Sequence, residues 1–408
     1  MSTVASAAEP GTVAVGPQHD GGRAWLDMAL ASLSMFTVFA TAYSFGTFVR
    51  PMAEEFKAGR GATARVFAIT AFAYFSLGAV TGPLVHRVGP RRMVAFGATV
   101  QVIGMVITTR VHALWQAYLS YGIGVGIGVA CCYVPLVAVV GGWFTRRRPL
   151  AIGIAVSGIG LSSLFGAPIA ARLIKAHGWR DAYLVFAIAT GILLAIVAIF
   201  VRTPPSFDVA PPMKLSAALR TRTFVLSYLA LVLASITLFN VFVNLVPYAE
   251  DHGIAKVRAA TLLSLLGGAS VVGRNALALL ARRVGTVATY GLSILTMGVT
   301  QIIWLGAESS YATLAVFALV FGVAYGGLIA LGPILLAELF GPEQLGGLAG
   351  VNYTAAGIGA LVGPTIGAWL VDRTGSYTLG TLLGLAFGLG GAGLLFVVWR
   401  GTRRAAPA

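Results

Sequence analysis

Charge is what this 408-residue chain has least of. Only 10% of its residues are Asp, Glu, Lys or Arg, where a water-soluble globule carries about a quarter, and 58% are hydrophobic. A soluble domain of this length is excluded, and a lipid bilayer is the implied surrounding. Cysteine is nearly absent too: Cys131 and Cys132 are adjacent inside an apolar run, so they form neither a disulfide framework nor a CxxC metal pair. No GxxxxGK[ST] phosphate loop occurs, which argues against a primary pump. The five histidines, His19, His86, His112, His177 and His252, fall in the tail or between apolar runs, and no Asp or Glu lies in the middle of one. A membrane enzyme would want such buried acids, bases or metal clusters; neither an enzyme nor a cofactor is implied. The first 22 residues are small, polar and Gly/Pro-containing, unlike a cleavable signal, so the first apolar run is expected to remain as a helix.

What the chain does have is apolar runs of about 20 residues, the length that spans a bilayer as helix. Twelve are expected, at 25–49, 66–85, 93–109, 113–141, 150–171, 181–201, 223–247, 259–281, 286–306, 311–337, 345–370 and 377–399. The longest polar connection, RTPPSFDVAPPMKLSAALRTR, opens with proline pairs that forbid regular helix. It divides the chain into a tail (1–24), a first six-helix bundle (25–201), a linker (202–222), a second bundle (223–399) and a tail (400–408).

A net charge of +15 would suggest a nucleic-acid partner in a soluble protein, but these basic residues sit in short loops, where they set topology instead. With the N-terminus inside, 16 Lys and Arg fall on the inner side and 11 on the outer, and Arg274 completes the 28. Both termini are therefore expected to be cytoplasmic, in a plasma or inner membrane.

Arg274 is the exception to that pattern. It stands in LLSLLGGASVVGRNALALL, eight residues before Arg282, and so about 12 Å inside the basic boundary at 1.5 Å per residue. A cation at such depth costs roughly 3 kcal/mol to insert and normally faces a protein interior or an aqueous cavity. Snorkelling or a structural lock to carbonyls of a neighbouring helix is the bland alternative. The functional one is an anion site, since a guanidinium offers a carboxylate a bidentate fork. Asn240 and Asn244, spaced i, i+4, share a helix face and are candidates to complete such a pocket or to glue helices together. Tyr43, Tyr133 and Tyr325 are further candidates, while the Gly122, Gly124, Gly126, Gly128 ladder is expected to serve helix packing.

LVHRVG at 84–89 returns as LARRVG at 280–285, and Pro168 returns as Pro364, both 196 residues on. The loop GPLVHRVGPRRM resembles the signature between helices 2 and 3 of the major facilitator superfamily, with Gly82, Leu84, Arg87, Gly89, Arg91 and Arg92 matching and His86 where Asp is usual. That resemblance implies an all-α membrane protein of twelve transmembrane helices in two pseudo-symmetric six-helix bundles, with substrate bound between the halves. It also implies that the arginines meet carboxylates when the cytoplasmic side shuts; Glu338 and Glu343 are the acids available.

Within that superfamily the chain resembles the monocarboxylate transporters. Asp20, Gly21, Gly22 and Trp25 match the sequence that opens helix 1 there, WFTRRRPLAIGIAVSGIG resembles the start of helix 5, and VPYAEDHGI resembles the end of helix 7. The resemblance implies that the helix 8 arginine, Arg274, binds the substrate carboxylate, and that a lactate- or pyruvate-like anion moves, with or without a proton. This chain departs from the family at titratable positions. Ser270 stands where animal members place an aspartate, and Asn244 where bacterial relatives often hold histidine. Tyr43 lies near a helix 1 basic residue of some members, and Asn352 and Tyr353 lie where oxalate exchangers carry lysine. Coupling could ride on the acid's own proton or on anion exchange. An oxalate/formate-type exchanger, an efflux transporter of the superfamily and a non-transporting receptor are the alternatives, and no protein partner is implied.

Overall fold

In the hydrocarbon core an unpaired backbone N–H or C=O costs several kcal/mol, so an apolar run must fold as a helix that satisfies its own backbone. The structure, a computed structural model, describes residues 20–204, 219–341 and 345–405. Within them twelve long helical segments follow in order: α1 (Gly22–Tyr43), α2 (Arg60–Val88), α3 (Pro90–Thr108), α4 (Leu114–Trp143), α5 (Arg148–His177), α6 (Trp179–Phe200), α7 (Arg222–Asp251), α8 (Lys256–Val284), α9 (Thr286–Leu305), α10 (Tyr311–Phe340), α11 (Leu345–Thr374) and α12 (Thr378–Ala405). No strand occurs among the described residues. Eleven helices are long and apolar enough to cross a membrane; α3, with Arg91, Arg92 and Gln101 in its 19 residues, is the other. Several helices outrun their apolar runs, as 66–85 does by becoming Arg60–Val88. Apolarity marks the bilayer, and the hydrogen-bond ladder continues past it.

The two halves pack by the same rule. α1 lies on α5 as α7 lies on α11, α2 on α4 as α8 on α10, and α3 on α6 as α9 on α12. Two seams join the halves, α2 against α11 and α5 against α8. The repeated loop keeps its geometry as well: Gly89 (φ +85°) and Gly285 (φ +97°) each end a helix and donate their N–H, at 2.9 Å, to Val85 and Ala281. Such positive φ with extended ψ is open to glycine and strained for any side chain.

Close approach uses the small residues. In the α5–α8 seam a methyl added to Gly160 would lie 3.1 Å from the Gly267 carbonyl oxygen, and one added to Gly267 would lie 2.7 Å from that of Gly160. The glycine ladder of α4 packs as anticipated, Gly122 and Gly126 toward α2 and Gly124 and Gly128 toward α3. α4 itself is interrupted at Tyr133 (φ −90°, ψ −76°), two residues before Pro135, whose missing N–H weakens the ladder. That kink lies beside Gly82, where an added methyl would sit 2.8 Å from Val134 Cγ1.

Candidate functional site

Arg274 is 7% exposed. Its Nη1 donates to the Val156 carbonyl of α5 at 2.5 Å, whereas Nε and Nη2 have no hydrogen bond of ordinary geometry. No carboxylate pairs with it among the described residues. Its side chain also meets the Tyr325 hydroxyl, and a buried cation with no counter-charge is costly unless an anion joins it. The structural lock considered from the sequence accounts for the Val156 bond and leaves the charge without a counter-ion. Its charge acts on Tyr133 and Tyr325, two tyrosines that line a cavity between the bundles.

That cavity, about 70 Å³, gathers residues that stand hundreds of positions apart in the chain. Five of the expected site residues line it: Tyr43 of α1, Tyr133 of α4, Tyr325 of α10, and Asn352 and Tyr353 of α11. Tyr325 is 1% exposed, and its hydroxyl meets the side chains of Tyr43 and Arg274. Sequence reasoning missed most of the other wall, namely Phe39, Phe75, Ile159, Phe239 and Tyr290. The rings meet one another: Phe39 and Tyr133 at 5.4 Å between centroids, Phe75 and Phe239 at 5.8 Å, Phe75 and Tyr353 at 6.1 Å. An apolar residue in an apolar span carries no mark of facing a cavity, so only the tyrosines could have signalled it.

Four expected residues lie outside the cavity lining, Arg274 among them, which meets the cavity only through Tyr325. The Asn244 amide donates to Asn240 Oδ1 at 2.8 Å, and the pair packs against Gly367 of α11 outside the cavity lining, so the helix-gluing role is the one this geometry supports. Ser270 is fully buried and donates to the Gly267 carbonyl of its own helix at 2.7 Å, which uses its one hydroxyl proton.

The cavity lining reaches Leu336 and Ala349, near the ends of α10 and α11 at the face that carries the α2–α3 and α8–α9 loops. At that basic face Arg87 and Arg92 are exposed, Arg91 donates to the Val201 carbonyl at 2.9 Å, and Glu338 accepts from the Thr286 hydroxyl at 2.6 Å. No ion pair joins these arginines to Glu338 among the described residues; the pairing was expected for the shut state of this face. Glu343 lies outside the described residues.

The opposite face is sealed by a cluster the sequence did not single out. Arg60, at the start of α2, pairs with Asp251 at the end of α7 and donates to the Tyr377 hydroxyl at 2.6 Å. Tyr377 donates in turn to Asp251 at 2.7 Å, and the Arg60 and Gly61 N–H groups donate to Asp372 of α11 at 2.9 and 2.8 Å. These residues border a second cavity, about 660 Å³, that shares no lining residue with the first. The first cavity thus runs toward the basic face and the second lies at the opposite one.

Two stretches that resemble transporter signatures meet at the basic face. The Asp20 carboxylate accepts from the Thr145 hydroxyl at 2.8 Å and from the N–H groups of Thr145, Arg146 and Arg147 at 3.2 to 3.3 Å, while Trp25 packs edge-on to Phe144 at 5.0 Å. Desolvation alone would raise this carboxyl; the four hydrogen bonds outweigh it and hold its pKa down to about 2.

Comparison with known proteins agrees with this arrangement. The family model of the Major Facilitator Superfamily matches residues 31–289 and 229–408. Monocarboxylate transporter 3 of Rattus norvegicus is 32% identical over 384 residues, covering 88% of this chain and 76% of that protein. Monocarboxylate transporter 13 of the same organism is 30% identical over 385 residues, 93% and 90% of the two chains. A fungal relative, MFS-type transporter pynF of Aspergillus niger, is 29% identical over 356 residues, 85% and 82%. With twelve helices in two matching halves and these relatives along nearly its whole length, the chain belongs to the major facilitator superfamily, as a membrane transporter, not an enzyme, that resembles the monocarboxylate transporters.

Proposed function

We propose that this protein moves a small monocarboxylate across the membrane by alternating access, with the carboxylate held by Arg274. The observation that carries the reading is a buried arginine with no carboxylate partner among the described residues, in contact with Tyr325, which lines the inter-bundle cavity. One cation fits one carboxylate: a second carboxylate would find no second charge, since the polar groups that line the cavity are hydroxyls and an amide. The names of the two rat relatives support the same substrate class. We take the basic face as cytoplasmic, which puts both termini inside a plasma or inner membrane and makes this the inward-open form. The domain division at the 202–222 linker and the shut-state pairing of Arg87, Arg91 and Arg92 with Glu338 and Glu343 belong to the same proposal.

None of the cavity-lining side chains titrates near neutral pH, so a proton that crosses rides on the acid itself, and exchange of one anion for another is the other mode of coupling. Uptake of labelled pyruvate, lactate, formate and oxalate into liposomes, with and without a pH gradient or internal anion, distinguishes them. Arg274→Ala should lower uptake about 100-fold or more, because two charge-assisted hydrogen bonds at roughly 1.5–3 kcal/mol each are lost. Arg274→Lys should stay poor for want of the planar fork. Undiminished anion uptake by a folded Arg274→Ala protein would refute the assignment.

A further inference from the structure

The α5–α8 seam can be followed from the middle of the membrane to the basic face. Gly160 lies against Gly267 and Val271, and one turn nearer that face the Val156 carbonyl accepts from Arg274. The two helices run antiparallel, so a further eight residues along each, about 12 Å at 1.5 Å per residue, bring Arg148 level with Arg282. The basic ends of the two halves thus adjoin where the seam leaves the bilayer. Arg146, Arg147 and Arg148 come from the first half and Arg282 and Arg283 from the second, and all five are exposed.

These cations are not neutralised. Arg148 Nε turns back to the Gly141 carbonyl at 2.6 Å, and no ion pair joins any of the five to a carboxylate among the described residues. The carboxylate that does meet this loop, Asp20, is held by the N–H groups of Thr145, Arg146 and Arg147. Five guanidinium groups therefore stand over one acid.

Beneath them each helix turns an apolar stripe outward. Leu150, Ile154 and Leu161 of α5 and Val272 and Leu279 of α8 are 38–63% exposed, and none lines either cavity. Arg283 continues the α8 stripe four residues beyond Leu279, on the same helix face. A cationic cap above an apolar groove between two helices matches an amphiphile with an anionic head. A soluble anion would use the arginines and leave the groove to other lipid.

We propose that this end of the α5–α8 seam is a binding site for an anionic phospholipid, its headgroup held by Arg146, Arg147, Arg282 and Arg283 and its acyl chains laid along the Ile154 and Leu279 stripes. Because the headgroup takes its cations from both halves, the bound lipid pins them together at the seam and favours the form in which the two ends adjoin. The site shares no residue with the inter-bundle cavity.

Native mass spectrometry of the purified full chain, titrated with dioleoyl phosphatidylglycerol or dioleoyl phosphatidylcholine, tests this. Phosphatidylglycerol should bind at least 10-fold more tightly. An arginine at an anionic headgroup is worth about a fivefold factor, so Arg147→Gln/Arg283→Gln should weaken phosphatidylglycerol by about 25-fold and phosphatidylcholine by less than about threefold. Arg222→Gln/Arg400→Gln removes two exposed charges of the same face on α7 and α12 and should change neither lipid by more than about threefold. Circular dichroism verifies the fold of both variants. Equal binding of the two lipids by the wild-type protein overturns the proposal. Equal losses in the two double variants also overturn it, by showing a diffuse surface charge in place of a site. Inorganic pyrophosphate that displaces phosphatidylglycerol at a similar concentration, with the same dependence on Arg147 and Arg283, overturns it in favour of a soluble anion.

Discussion

Arg60 and Asp251 lie 191 residues apart and form an ion pair across the two bundles, closing the face opposite the open cavity. Around them Tyr377 and the Asp372 carboxylate complete the seal with hydrogen bonds to the same start of α2. Because α2 and the α7 and α11 ends belong to different halves, these bonds exist only while the halves meet at that face. They must break when the transporter turns over.

Arg60→Ala should therefore favour the form open at that face. A partly exposed ion pair is worth roughly 1 kcal/mol, which is about a fivefold change in population. Reactivity of a cysteine placed at Ser376, measured with a membrane-impermeant maleimide, should rise by about that factor. Unchanged labelling would show that the pair does not hold the face shut.

Asp20 ties the start of α1 to the loop before α5, and its titration has a defined sign. Its carboxyl has a pKa of about 2 in the folded protein against 3.8 ordinarily, so the unfolded chain binds the proton more readily and stability must fall as pH falls through that interval. The contribution is fully present above about pH 4 and lost toward pH 2. Thermal unfolding of the purified protein should show the wild type losing more of its Tm than Asp20→Asn between pH 5 and 3. Parallel curves for the two proteins would contradict the capping role.

Gly160 and Gly267 set the spacing of the α5–α8 seam beside Arg274. Overpacking of this kind costs about 1–3 kcal/mol, and relief requires the helices to part. Gly267→Val should lower both Tm and uptake, whereas Gly393→Val, with nothing within 4 Å of an added methyl, should leave both unchanged. A Gly267→Val protein as stable and active as wild type would show that the seam tolerates separation.

The cavity wall carries no carboxylate, histidine or lysine. Affinity for a fully ionised carboxylate should accordingly stay constant within about threefold from pH 5.5 to 8, as followed by calorimetry in detergent. A steep change in that range would point to a titrating group at the site.

Much of the fold was legible because bilayer physics writes it in length and hydropathy: twelve runs became twelve helices, and the 196-residue repeat became two loops of like geometry around Gly89 and Gly285. Arg274 was legible for the same reason, as a cation too deep to be an anchor. The tyrosines were legible only as candidates, since convergence of Tyr43, Tyr133, Tyr325 and Tyr353 depends on which faces four helices turn inward. Asn240 and Asn244 had the right spacing to share a face, but spacing does not distinguish a face toward a cavity from a face toward Gly367. The Arg60 seal was hidden because its members are ordinary loop-end charges until α2 and α11 are brought together.

The central claim is that a carboxylate docks on Arg274, and a structure of the protein with a brominated monocarboxylate tests it most directly. The account predicts anomalous density for the bromine inside the inter-bundle cavity and carboxylate oxygens about 3 Å from Nε and Nη2. A bound acid seated elsewhere, with no carboxylate oxygen at Arg274, would contradict it.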